Sequence, residues 1–146
     1  MKKTMQVVLG GASLLLVGMV EAGPLVEVTI KNLGSQQAVM KLMTSNETST
    51  YQIANPQPDQ KIEKGASTFM RVQRVVSPDV NAAMIRYTMG GKTCVFSTTF
   101  QLRTLSNGMK QPEWTKKATP SGGASCTATI TGTAADYSWK TEFTMK

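Results

Sequence analysis

"YTMGGKTCVFSTTFQL", residues 87–102, reads as a β-hairpin. Tyr87 and Met89 continue an alternating run that begins at Ile85, and Gly90-Gly91 then offers the positive φ of a two-residue turn. The chain returns with Cys94, Phe96, Phe100 and Leu102 on one face of a second strand. A cysteine aligned with two phenylalanines belongs to the face that water does not reach. The hairpin therefore predicts a sheet with one buried side.

The same period of two recurs on either side. "LVEVTIKN", residues 25–32, sets Val26, Val28 and Ile30 against Glu27, Thr29 and Lys31, and "AVMKLM" continues with Met40 and Leu42 on one face. "TYQIA", residues 50–54, and Lys61–Lys64 are short candidate strands, and "STFMRVQRVV" sets Met70 and Val72 against Arg71 and Gln73. Later, "SCTATITG" aligns Cys126, Ala128 and Ile130, and "YSWKTEFTM" aligns Tyr137, Trp139, Phe143 and Met145. Only "SPDVNAAM", residues 77–84, has helical punctuation, with Ser77 as N-cap and Pro78 at the first position. Short alternating runs separated by Gly, Pro, Asn and Asp predict an all-β antiparallel domain. About seven or eight strands, each burying one face, predict a two-sheet β-sandwich with at most one helical turn. The same pattern is compatible with barrel closure.

The amino-terminal stretch is of a different kind. Lys2 and Lys3 precede Val7–Val20, 14 residues without a charge, and Val20-Glu21-Ala22 resembles a cleavage site. That layout predicts a secretory signal peptide over residues 1–22, since about 20 apolar residues are needed to span a bilayer. Residues 23–146 form a single domain of 124 residues, soluble once exported to a periplasm or the medium. Without the leader, 14 Lys plus Arg face 8 Asp plus Glu, a net charge of +6. Such a surface suits anionic lipid or acidic glycans. The cations are too dispersed for a nucleic-acid footprint, Lys116-Lys117 being the one doublet past the leader.

Two cysteines, Cys94 and Cys126, lie on the apolar faces of predicted strands in an exported chain, and they are expected to form a disulfide. The sequence has no histidine, which excludes Ser-His-Asp and Cys-His catalysis and a His-ligated zinc. No C-x-x-C or phosphate-binding Gly loop is present either. Paired-carboxylate hydrolysis is the remaining catalytic option among Glu27, Glu47, Asp59, Glu63, Asp79, Glu113, Asp136 and Glu142. No cofactor or metal is expected, and the seven methionines past the leader form no copper motif.

For binding, "NGMKQPEWTKKATPSGGAS", residues 107–125, reads as a long Pro- and Gly-rich loop. It carries the candidate binding residues Glu113, Trp114, Lys116 and Lys117. A Trp beside lysines can seat at a membrane interface, stack on a sugar or anchor a protein, or it can fold back over the end of the sandwich. Trp139 points inward by alternation. "NET", residues 46–48, matches a glycosylation acceptor. "VEVTIKNLGSQ", residues 26–36, resembles the opening strand and turn of small secreted β-sandwich proteins, among them the lipid-binding aegerolysins. The Trp-containing stretches of that family are missing, so its function does not carry over. The expectation is an exported, non-catalytic protein that binds a protein, glycan or cell-envelope component through loops or a sheet edge. A module that binds anionic membranes is the alternative, and a carboxylate-based hydrolase comes third.

Overall fold

A computed structural model describes residues 21–146. Residues 1–20 of the expected signal peptide lie outside the described part. Nine strands and one helix follow in the order β1 (Val26–Asn32), β2 (Ala38–Met40), α1 (Ser45–Ile53), β3 (Lys61–Ile62), β4 (Ser67–Val72), β5 (Val80–Met89), β6 (Lys92–Thr104), β7 (Lys110–Ser121), β8 (Cys126–Thr133) and β9 (Trp139–Met145). They form two sheets, one of four strands in the order β4-β1-β9-β8 and one of five in the order β3-β2-β5-β6-β7. The expected two-sheet sandwich is what the chain adopts. One pairing departs from the antiparallel expectation: β1 and β9 run parallel, Val26 opposite Trp139 and Asn32 opposite Met145.

The core is the set of inward faces read from alternation. Val26, Val28 and Ile30 of β1, Ile85 and Tyr87 of β5, Phe96 and Phe100 of β6, and Phe143 and Met145 of β9 are all buried. Phe96 stacks on Phe143 across the two sheets, with centroids 4.8 Å apart. Each such side chain contributes about 1.5–3 kcal/mol of transfer free energy. Trp139 is buried as its alternation predicts, and its indole Nε1 donates to the Thr98 hydroxyl at 2.8 Å. Thr98 Oγ1 in turn donates to the Thr115 carbonyl at 2.9 Å and lies 3.3 Å from Thr141 Oγ1. One hydroxyl thereby satisfies a buried indole in an otherwise apolar interior.

Cys94 of β6 and Cys126 of β8 are bonded, with Cα atoms 5.7 Å apart and 32 positions apart in sequence. The bond crosses between the sheets at the end where the β5–β6 turn lies, and it is consistent with an oxidising, exported location. Two fully or nearly buried asparagines close the ends of the sandwich. Asn32 donates from Nδ2 to the Gln36 and Ile62 carbonyls, and Asn81 donates to those of Pro24 and Val72.

Three local readings are corrected by the structure. "TYQIA" belongs to α1 rather than to a strand, and residues 80–84 lie in β5 rather than in a helical turn. The expected loop at residues 107–125 is mostly the 12-residue strand β7. Pro112 and Pro120, which suggested a loop, both fall on an edge strand at register positions of the same parity, opposite Leu102 and Cys94. A missing N–H is tolerated there when it faces away from the neighbouring strand.

α1 forms a partial third layer on the outer face of β5. Its N-cap Thr44 makes a capping box with Glu47: the Thr44 Oγ1 accepts from the Glu47 N–H, and the carboxylate accepts from the Thr44 N–H at 3.2 Å. Glu47 is fully buried, and its other oxygen accepts from Arg86 of β5 at 2.8 and 3.0 Å.

Candidate functional site

The four residues singled out for binding lie along β7, and the pleat divides them. Trp114 and Lys116 sit opposite Phe100 and Thr98, on the side of the sheet that faces β8 and β9. Glu113 and Lys117 sit opposite Gln101 and Ser97, on the outer side. Period two forces this for any adjacent pair, so the Lys116 and Lys117 side chains leave the strand on opposite faces. Lys116 is exposed although it points inward, because an edge strand overhangs the opposite sheet. Inward charge of this kind, with two prolines, protects an edge from strand addition. Glu113 pairs with Arg103 at 3.1 Å.

Trp114 folds back on the end of the sandwich. Its ring lies 5.5 Å from Phe100 and 6.3 Å from Tyr137, and Nε1 donates to the Tyr137 carbonyl at 3.1 Å. Tyr137 has a φ of 67°, a region that costs a non-glycine residue of order 1–3 kcal/mol. That conformation stacks its ring on Phe100 at 5.3 Å. The aromatic cluster Phe100–Trp114–Tyr137–Trp139 offsets the strain by closing this end, and the Trp114 indole is committed to it.

Charge instead gathers at the opposite end. The β5–β6 turn uses Gly90 at φ 60°, as a tight hairpin requires. The β7–β8 turn packs directly against it, since a Cβ on Gly122 would meet the Gly91 carbonyl oxygen at 1.9 Å. Beside these turns lie Lys92 and Lys146, whose N–H donates to the Ser125 carbonyl at 2.8 Å. Lys64 precedes Gly65, whose N–H donates to the Asn32 carbonyl, and Lys61 is opposite Val39. These four lysines are exposed, and none has an ion-pair partner among the described residues. The one acid near them, Glu63, is held by Gln37 Nε2. A recess of about 150 Å³, lined by Ser35, Gln36 and the Gly90-Gly91-Lys92 turn, opens among them. The aromatic end, in contrast, carries Asp79, Glu113 and Asp136 against Arg103 and Lys110.

Comparisons with protein-family models, with curated proteins and with solved structures find no match to this chain. The chemistry must therefore be read from the molecule alone.

The carboxylates are mostly spoken for. Glu27 accepts from Arg71 and Lys140, Glu142 pairs with Lys31, and Asp79 lies 3.9 Å from Lys110. Burial alone would raise the Glu47 carboxyl, but the Met43 N–H, Arg86 and the Thr44 N–H outweigh it and hold the group below its ordinary value. Among the described residues, no group of three or more acidic or cysteine side chains is placed to hold a metal ion. No helix among them is long and apolar enough to cross a membrane. The sequence signal for the lysine end was available: Lys61 and Lys64 bound a candidate strand and Lys92 follows the Gly90-Gly91 turn, but nothing in the sequence says that these positions share one end.

Proposed function

We propose that the protein is an exported, non-catalytic binding domain whose lysine-bearing end docks on an anionic glycan of the cell envelope. The leader at residues 1–22 supports export, together with the disulfide. The observation that carries the reading is the concentration of Lys61, Lys64, Lys92 and Lys146 at one end, unpaired among the described residues, where the Cys94–Cys126 bond ties β6 to β8 two residues from Lys92 and the Gly65 N–H ties the turn after Lys64 to Asn32. Preorganised charge on a stiff platform favours capture of an extended polyanion, because little side-chain or loop order remains to be lost. Non-catalytic action is supported by carboxylates that neutralise cations rather than pair with one another.

Binding to anionic lipid is the second reading, and Leu33, 54% exposed at the same end, favours it. The Trp114 indole N–H is engaged at the other end by the Tyr137 carbonyl. The test is co-sedimentation with an acidic polysaccharide and with vesicles of anionic or zwitterionic lipid. Capture by the polysaccharide should weaken steeply as salt rises past the physiological range. It should be lost when the four lysines become glutamine, with thermal unfolding unchanged. Binding that ignores both salt and the four substitutions overturns the proposal. Capture by anionic vesicles alone transfers it to the lipid reading.

A further inference from the structure

A second cationic feature lies elsewhere, on the outer face of the five-stranded sheet. α1 covers only part of that face and leaves a groove of about 370 Å³. Its floor is made by Ala82 and Met84 of β5 with their partners Thr99 and Ser97 of β6. One wall is α1, through Asn46, and Arg74 reaches in from the segment after β4. Lys117 flanks the open side, directly opposite Ser97 in the β6–β7 register.

Two arginines lie against this helix, and they differ in one respect. Arg86 is neutralised by the buried Glu47. Arg74 donates from Nε to the Ala82 carbonyl at 3.0 Å, from Nη1 to Ser49 Oγ at 2.7 Å and from Nη2 to Thr50 Oγ1 at 3.3 Å. All three acceptors are neutral, and no carboxylate pairs with Arg74 among the described residues. A guanidinium has five N–H donors, so one on each terminal nitrogen remains uncommitted. Burial lowers Arg74 from its ordinary value, the mark of a desolvated charge without a counterion. Ser97 and Asn46 present a hydroxyl and an amide to the groove, and the Thr99 hydroxyl beside them is shared with that of Thr115.

We propose that this groove is a binding site for a small polyhydroxylated acid, its carboxylate or phosphate held by the Arg74 guanidinium and its hydroxyls by Ser97, Thr99 and Asn46. The free pair of terminal N–H groups suits two oxygens of one oxyanion. Lys117 adds a second positive charge at the rim. The absence of an aromatic ring from the floor means that selection rests on the acid group rather than on stacking of a neutral sugar.

The test is an amide-shift titration with glucose 6-phosphate, with glucuronate and with glucose as the neutral control, at constant ionic strength. Either acid, or both, should move the amides of Ala82–Met84 and Ser97–Thr99, with glucose inert. Comparison of the two acids identifies the preferred oxyanion. Arg74→Gln should weaken binding about tenfold or more, the loss expected for a charge-assisted hydrogen bond. Lys117→Gln should weaken it severalfold at an unchanged unfolding midpoint, which keeps the test valid if Arg74→Gln loosens α1. The same titration on the four-lysine variant should be unaltered, so this site stands or falls apart from the lysine end. Shifts spread over the lysines, an equal response to glucose, or wild-type affinity in Arg74→Gln and Lys117→Gln would each overturn it.

Discussion

Thr98 is a polar residue at the centre of the apolar interior, fully buried and joined to Trp139, Thr115 and Thr141. Replacing it by valine preserves the volume and removes the acceptor. Thr98→Val leaves the Trp139 indole N–H unpaired, at a cost of about 1–3 kcal/mol. Chemical denaturation should show the midpoint falling at an unchanged slope. The inward orientation of Trp139 could be read from alternation, because period two is a local property, and the pairing of Cys94 with Cys126 followed from their being the two cysteines of a chain read as exported. The partner of the indole could not be, since Thr98 and Trp139 meet only when two sheets stack. Tyr137 is a similar case. Its place on the inward face of "YSWKTEFTM" was readable, but its positive φ depends on the turn that places it against Phe100 and Trp114.

At the scale of the element, α1 depends on one carboxylate. The helix has almost no apolar face, and what it buries is Glu47 and Thr50. Glu47→Ala would orphan Arg86 and two backbone N–H groups, a loss of about 3–5 kcal/mol. Amide exchange should locate that loss in residues 44–54 before the sheets open. Glu47 also sets a pH dependence. Its native pKa is lowered, so its contribution is fully present above the ordinary 4.5 and fades as pH falls through the native value. Helix protection should therefore fail on acidification, and in Glu47→Gln it should be weak at neutral pH already. Alternation reasoning read this segment as a strand because no amphipathic stripe exists to reveal a helix. One legible signal was present: Thr44 followed by Glu47 is a capping box. The prolines of β7 and the Ser77-Pro78 pair misled in the opposite direction, since strand edges and strand starts tolerate the punctuation that marks loops and helix caps.

For the whole molecule, the Cys94–Cys126 bond joins the two sheets across 32 positions. Closing a loop of that length is worth about 3–4 kcal/mol on the chain-entropy model, out of the roughly 5–15 kcal/mol of a domain. Unfolding under reducing conditions, or in a Cys94→Ala/Cys126→Ala variant, should require less denaturant by a corresponding margin. Lysine-end binding should fall with it, because the strand ends beside which Lys92 and Lys146 lie lose their tether.

The two-layer architecture was legible from strand periodicity, whereas strand order was not. Alternation identifies which face is buried but not which strand is the neighbour. The parallel contact between β1 and β9 is the clearest instance, because nothing in either segment announces the other. It also bears on biosynthesis. β9 separates β1 from β8 in the four-stranded sheet, so that layer stays divided until the ribosome has passed residue 145. The β4–β1 pair and β8 can therefore be joined into one layer only after β9 has been made.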